Sequence, residues 1–198
     1  MRICILGSAR SGTTTLLDYI SESLELKRLN EPYQTLIDEQ WGERNITENE
    51  IWKDKNTVVK HLVNQLSHEQ KVTLPRYFDK IVCIYRKDLE QSAESFLAAY
   101  HSNNWNRPYT YSSSEAIKKT SQNTHVKKWV IEYRKKEIKE FKELEYFTVT
   151  YEDLFYSDKD KVRLNEYLGI TNPCYNILNL KNKLRTDPKG SYKGKTII

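Results

Sequence analysis

The run Gly7-Ser8-Ala9-Arg10-Ser11-Gly12-Thr13-Thr14-Thr15-Leu16 separates a short apolar segment, residues 3–6, from a stretch in which Leu16, Leu17, Ile20 and Leu24 recur at helical spacing. A buried strand that turns through two glycines into a helix leaves a chain few folds to choose from. The glycines permit tight turning and close approach of the backbone. The helix start then aims several N–H groups, and the positive end of its dipole, at whatever lies above it. An anion is the ligand such a turn is built for.

Further along, residues 57–60, 81–85 and 146–150 are predicted strands. Helices are expected over 13–24, over 88–100 with Leu89, Phe96, Leu97 and Tyr100 toward one side, and over 160–168, closed by Gly169. A long helix should start at a Ser113 or Ser114 cap and run to about residue 142, with Trp129, Ile131, Tyr133, Ile138 and Phe141 turned inward. Beyond Lys181 the low apolar content predicts a loop or arm. Strands alternating with helices imply an α/β fold, a parallel sheet in three layers with helices on both faces. At 198 residues, the chain is expected to be a single domain spanning 1–198.

Net charge is +5, from 32 basic against 27 acidic residues, which suits a polyanionic ligand without singling one out. Part of the excess is local, in Lys127, Lys128, Arg134, Lys135 and Lys136, where a solvated helix face is the simple explanation. No base-reading module is present, so nucleic acid is not an expected partner. Cys4 and Cys83 fall in apolar strands and resemble small buried thiols; with Cys174 they form no disulfide framework. The four histidines show no ligand spacing with one another or with the cysteines, so no metal is expected. The sequence enters a strand at once and contains no apolar run of membrane-spanning length, which predicts a cytoplasmic protein without a membrane span.

The Gly-x4-Gly spacing matches the nucleotide-binding P-loop, but Thr13 stands where that motif carries lysine, and the cation comes earlier, at Arg10. A kinase of that class also wants a metal-binding acid at a neighbouring strand end. Here the strand over 81–85 runs into Arg86. In this respect Arg10-Ser11-Gly12-Thr13-Thr14 resembles the first motif of the sulfotransferases that use 3′-phosphoadenosine 5′-phosphosulfate (PAPS), and with it their P-loop NTPase-like fold. The resemblance implies that Arg10, Ser11, Gly12, Thr13, Thr14 and Thr15 grip the 5′-phosphosulfate and that Arg10 also neutralises the leaving oxygen.

Arg86 with Ser95 is similar to that family's 3′-phosphate motif. The usual proline is missing and the serine lies one residue further on, so either Lys87 shares the arginine's task or Ser92 takes the serine's. Tyr151-Glu152-Asp153-Leu154 resembles a mainly structural segment of bacterial and Golgi-type members, which implies a place for Tyr151 near the adenine. Lys189, Gly190 and Ser191 resemble a basic glycine loop over the 3′-phosphate. Adenosine 3′,5′-bisphosphate is then the product, and no metal takes part.

Sulfuryl transfer needs a base for the acceptor proton. Glu31, before Pro32, and His61, at the end of the strand over 57–60, are the two candidates, and Lys60 is placed to stabilise the sulfonate beside Arg10. The acceptor is expected to be a small molecule or glycan, carbohydrate or lipid-like, bordered by residues 101–111 with Tyr33 and Trp41. The alternatives are an Mg²⁺-dependent small-molecule kinase and a non-catalytic nucleotide-binding domain.

Overall fold

The structure, a computed structural model, describes residues 1–32, 55–103 and 122–178. Five strands, β1 (Arg2–Gly7), β2 (Lys27–Asn30), β3 (Thr57–Leu62), β4 (Lys80–Tyr85) and β5 (Phe147–Thr150), form one sheet in the order β2-β3-β1-β4-β5. Every pairing is parallel. Burial follows position in the sheet. The inner strand β1 is buried along nearly its whole length, while the edge strand β2 exposes Lys27, Arg28 and Asn30 and buries only Leu29. Charged residues on a short edge also discourage further strand pairing.

Successive side chains of a strand point to opposite faces, and two cores follow from that alternation. Ile3, Ile5, Val58, Val82 and Ile84 pack under α1 (Thr13–Leu24) and the C-terminal helices α5 (Tyr151–Phe155) and α6 (Lys159–Leu168). Cys4, Leu6, Val59, Ile81 and Cys83 pack on the other face, with Phe141 of the long helix α4 (Thr124–Glu143). The short helix α2 (His68–Thr73) and the 3₁₀ turn Leu74–Arg76 add Leu74 to that side. The layers are therefore helix, parallel sheet, helix, the expected α/β architecture. A third cluster, Ala93, Leu97 and Val130, joins α3 (Leu89–Ser102) to α4.

Helix phase departs from expectation in two places. In α4 the buried positions are Val130, Arg134, Glu137 and Phe141, so the inner stripe carries an ion pair, and Trp129 is 61% exposed. Arg134 thus leaves the solvated basic face to which composition assigned it. In α3 the buried side is Ser92, Ala93, Ser95, Leu97, Ala98 and Ala99, while Tyr100 faces outward. Small residues there let α3 approach its neighbours closely. The long helix begins at Thr124 after Asn123; Ser113 and Ser114 lie outside the described residues. Cys4 and Cys83 are buried free thiols, their pKa pushed up by burial, and Cys174 is half-buried. Among the described residues, no helix is long and apolar enough to cross a membrane.

Candidate functional site

Because all five strands run the same way, the loops leaving them share one edge of the sheet. The strand order sends the connection after β1 through α1 to β2 on one side and the connection after β4 through α3 and α4 to β5 on the other, so the two diverge and open a crevice at the carboxyl ends of β1 and β4.

The turn from β1 into α1 fills that position. Arg10 (φ 67°) and Gly12 (φ 84°) both take left-handed backbone conformations. A Cβ at Gly12 would lie 2.6 Å from a Phe155 ring carbon and 2.9 Å from Tyr151, and one at Gly7 would lie 3.0 Å from the Ile84 carbonyl oxygen. These are close backbone approaches that only glycine tolerates. Gly12 is the N-cap of α1 and supplies no side chain to the first turn, which also contains no acidic residue. The leading N–H groups of α1 therefore keep their capacity for an anion.

The two hydroxyls that begin the loop face inward. Ser11 is fully buried and its Oγ donates to the carbonyls of Ser8 (2.6 Å) and Ile84 (3.3 Å). Ser8 Oγ donates to Glu137 Oε2 at 2.7 Å. Glu137 also accepts from Arg134 at 2.5 Å, and a second Arg134 nitrogen donates to the Ala9 carbonyl at 3.2 Å. Helix α4 thus clamps the loop from behind through a buried ion pair. Ser11 was expected to grip the anion with its neighbours; its hydroxyl instead closes the turn. Thr13 is buried, Thr14 exposed and Thr15 half-buried.

Arginine gathers in front of the loop. Arg10 Nε donates to Ser95 Oγ at 3.3 Å. Burial lowers the Arg10 pKa, and the nearby Arg86 guanidinium lowers it further. Arg86 follows β4 directly, stacks its guanidinium 4.0 Å from the centre of the Tyr151 ring, and donates to Gln91 at 3.0 Å. Holding two guanidinium groups in mutual repulsion costs free energy, and an anion between or beside them offsets it. Ser95, rather than Ser92, is the serine that meets Arg10. Ser92 is 1% exposed in the inner side of α3, and Lys87 is ion-paired with Asp153.

Tyr151 and the acids after it tie β5 to β4. Glu152 accepts the backbone N–H groups of Lys87 (2.9 Å) and Asp88 (3.3 Å), so it caps the approach to α3, while Asp88 accepts from Gln91 N. The segment positions Arg86 as well as Tyr151.

A second group lies across the crevice. Lys60 Nζ reaches Thr14 Oγ1 at 3.3 Å and forms an ion pair with Glu31. Glu31 sits just beyond β2 at φ 47°, a strained conformation for a residue before proline. Its N–H donates to the Lys60 carbonyl, and its second carboxylate oxygen accepts from Gln65 Nε2 at 2.9 Å. Burial pulls the Lys60 pKa down against the opposing pull of Glu31. His61, one residue on, points to the opposite face of β3 and is fully buried. Its pKa is pushed down to about 3 by burial and by Lys60, so it is neutral and has no surface through which to meet an acceptor. Between the two base candidates, the geometry favours Glu31.

Arg10, Thr14, Glu31, Lys60, Arg86, Ser95 and Tyr151 are therefore brought to one edge of the sheet. Tyr33, Trp41, Trp105, Lys189, Gly190 and Ser191 lie outside the described residues. Sequence reasoning gave no role to Ser8, Gln65 or Glu137, set Arg134 on a solvated face, and named Glu152 only within a structural segment. Ser8 and Glu137 are 129 positions apart, and no local pattern announces their contact. No family model matches the chain, and no curated protein matches it in sequence.

Proposed function

We propose that the protein is a sulfotransferase that takes a sulfuryl group from PAPS and delivers it to a hydroxyl or amine, with adenosine 3′,5′-bisphosphate as the other product. The observation that carries this reading is the uncapped start of α1 in the same turn as Arg10, with Arg86 near enough for its charge to act on Arg10. That arrangement fits a nucleotide with phosphate at both ends. The N–H groups of Thr13, Thr14 and Thr15 and the Arg10 guanidinium suit the 5′ end, Arg86 and Ser95 the 3′-phosphate, and the Tyr151 ring a place beside the base. The same strand end carries an arginine where metal-dependent phosphoryl transfer wants an acid, which favours this reading over a kinase.

PAPS, when bound, supplies an activated sulfuryl group, and the residues organise its transfer. Arg10 concentrates positive charge where the leaving oxygen becomes anionic. Lys60, beside Thr14, does the same on the opposite flank. Glu31, held by Lys60 and Gln65 at the same crevice, is the carboxylate that takes the acceptor proton. Preorganised charge of this kind stabilises the transition state because no reorganisation is needed when charge develops.

Calorimetric titration tests the reading. Adenosine 3′,5′-bisphosphate should bind more tightly than either adenosine 5′-monophosphate or ATP with Mg²⁺. Arg86→Ala should weaken it about tenfold to a hundredfold. With a labelled donor, Arg10→Ala should cut turnover about a hundredfold and more than it cuts donor affinity, and Glu31→Gln should cut turnover about a hundredfold while donor affinity changes little. Preference for ATP with Mg²⁺ would favour a kinase and end the sulfotransferase reading. Tight nucleotide binding without transfer to sugars, lipids or phenols would make this a binding domain.

A further inference from the structure

In the order β2-β3-β1, strand β3 lies between the strand that runs into Glu31 and the strand that runs into the glycine turn. Lys60 of β3, in register with Asn30 on one side and Ile5 on the other, stands where it serves both. Its Nζ holds Glu31 in an ion pair and also donates to Thr14 Oγ1, in the first turn of α1, at 3.3 Å. The Lys60 side chain is 4% exposed and that of Glu31 23%, so Glu31 is the member of the pair that an acceptor can approach. Gln65 completes the group. Its Oε1 accepts from the Leu62 N–H at 2.8 Å, which leaves Nε2 to donate to Glu31 Oε2 at 2.9 Å. A backbone N–H can only donate, so it dictates which end of the amide meets the carboxylate.

We propose that Lys60 is exchanged between base and donor: it neutralises Glu31 before the donor binds and passes to the phosphosulfate when the donor arrives, with Gln65 as the positioning residue that keeps Glu31 aimed. The exchange rests on the sulfotransferase reading of the site. A buried ammonium keeps its charge only beside an anion, and burial already pulls the Lys60 pKa down against Glu31. A multiply charged anion at the start of α1 offers Lys60 a second partner beside Thr14. Such a ligand moves the lysine by the difference between the two attractions. A carboxylate neutralised by an ammonium pulls weakly on an acceptor's proton, and that pull returns once the ammonium has left. The base is therefore switched on only when there is a group to transfer. Glu31 then takes the proton of the acceptor hydroxyl or amine as the acceptor's bond to sulfur forms. The bond from sulfur to the bridging oxygen breaks, and its electron pair leaves on the 5′-phosphate, facing Arg10 and Lys60. A carboxylate held by Lys60 alone would be released along with it; the bond from Gln65 prevents that.

NMR on the full chain, with ¹⁵N in lysine and glutamine and ¹³C in glutamate, reads the exchange directly. Without nucleotide, a coupling across the hydrogen bond should link Lys60 Nζ to Glu31 Cδ, and Lys60→Met should abolish it. Saturating PAPS, with no acceptor present, should remove that coupling and leave the one from Gln65 Nε2 to Glu31 Cδ. A Lys60 coupling that survives in the PAPS complex, or the loss of both couplings, overturns the proposal. Two variants test the positioning role. Gln65→Glu keeps an oxygen for the Leu62 N–H, Gln65→Met adds no charge, and both lose the donor to Glu31. Each should bind PAPS within about threefold of the wild type yet release labelled sulfate to water about tenfold more slowly. Unchanged release, or a loss confined to PAPS affinity, refutes that role. Calorimetry with PAPS and with ATP plus Mg²⁺ on the same samples separates the exchange from the donor's identity. PAPS bound with Lys60 still on Glu31 sinks the exchange and leaves the sulfotransferase reading standing. Displacement of Lys60 by ATP with Mg²⁺ but not by PAPS sinks that reading and leaves an exchange driven by another nucleotide. Binding of neither sinks both.

Discussion

Arg10 and Gly12 carry the strain that shapes the crevice. Both occupy left-handed conformations, which glycine accepts at no steric cost and arginine does not. At Gly12 space and dihedral act together, since an added methyl would meet Phe155 and Tyr151. Gly12→Ala should therefore lower stability by about 1–3 kcal/mol, read as a shift in the urea midpoint, and should also weaken adenosine 3′,5′-bisphosphate. Unchanged stability would show that the aromatic pair has room to retreat. Glu31 is the other strained residue of the site. Its backbone conformation is held from outside, by the Lys60 carbonyl, and its carboxylate by Lys60 and Gln65. Strain maintained by several partners is what a positioned functional side chain requires.

At the scale of elements, α4 does more than cover the sheet. Its inner stripe alternates apolar Val130 and Phe141 with the buried pair Arg134 and Glu137, and that pair grips the loop after β1. Breaking a buried ion pair from one side leaves an uncompensated charge, whereas replacing both partners by apolar residues does not. Glu137→Ala should cost about 3–5 kcal/mol, and the double change Arg134→Met with Glu137→Leu should cost clearly less in the same denaturation measurement. The double variant should still bind adenosine 3′,5′-bisphosphate less well, because the loop has lost its rear support. Equal stability losses for the single and double changes would refute the clamp as described. The α5 segment acts in the same way from the opposite side, with Glu152 capping the approach to α3 and Tyr151 stacking on Arg86.

For the molecule as a whole, the buried imidazole of His61 couples the core to pH. Its folded pKa, about 3, lies below the ordinary 6.5, so below pH 6.5 the unfolded chain takes up a proton that the folded one refuses. Stability from this group is complete above pH 6.5 and is lost as pH falls toward 3, by about 1.4 kcal/mol per pH unit in between. From pH 7 to pH 5 the loss should be about 2 kcal/mol in chemical denaturation. His61→Asn should flatten that slope; an unchanged slope would assign it to other groups.

What could be known from sequence divides along the range of the interactions involved. The strand, glycine turn and helix of residues 2–24 were legible because burial, φ preference and 3.6-residue periodicity all act within a few positions. The parallel sheet followed from alternation of strands and helices. The phase of α4 was not legible, since Trp129 and Tyr133 are as apolar as residues that face a core, and only α3 and the loop decide that Arg134 and Glu137 turn inward. The different placements of Glu31 and His61 were equally closed to sequence, because β2, which ends just before Glu31, pairs with β3 only in the fold, and the alternation along β3 sends Lys60 toward the crevice and His61 away from it. Sequence alone determined the glycine turn from β1 into α1 and the class of fold, both products of local chemistry. Tertiary structure decided which charges meet at that turn, because β3, β4, α4 and α5 bring them from positions dozens of residues apart.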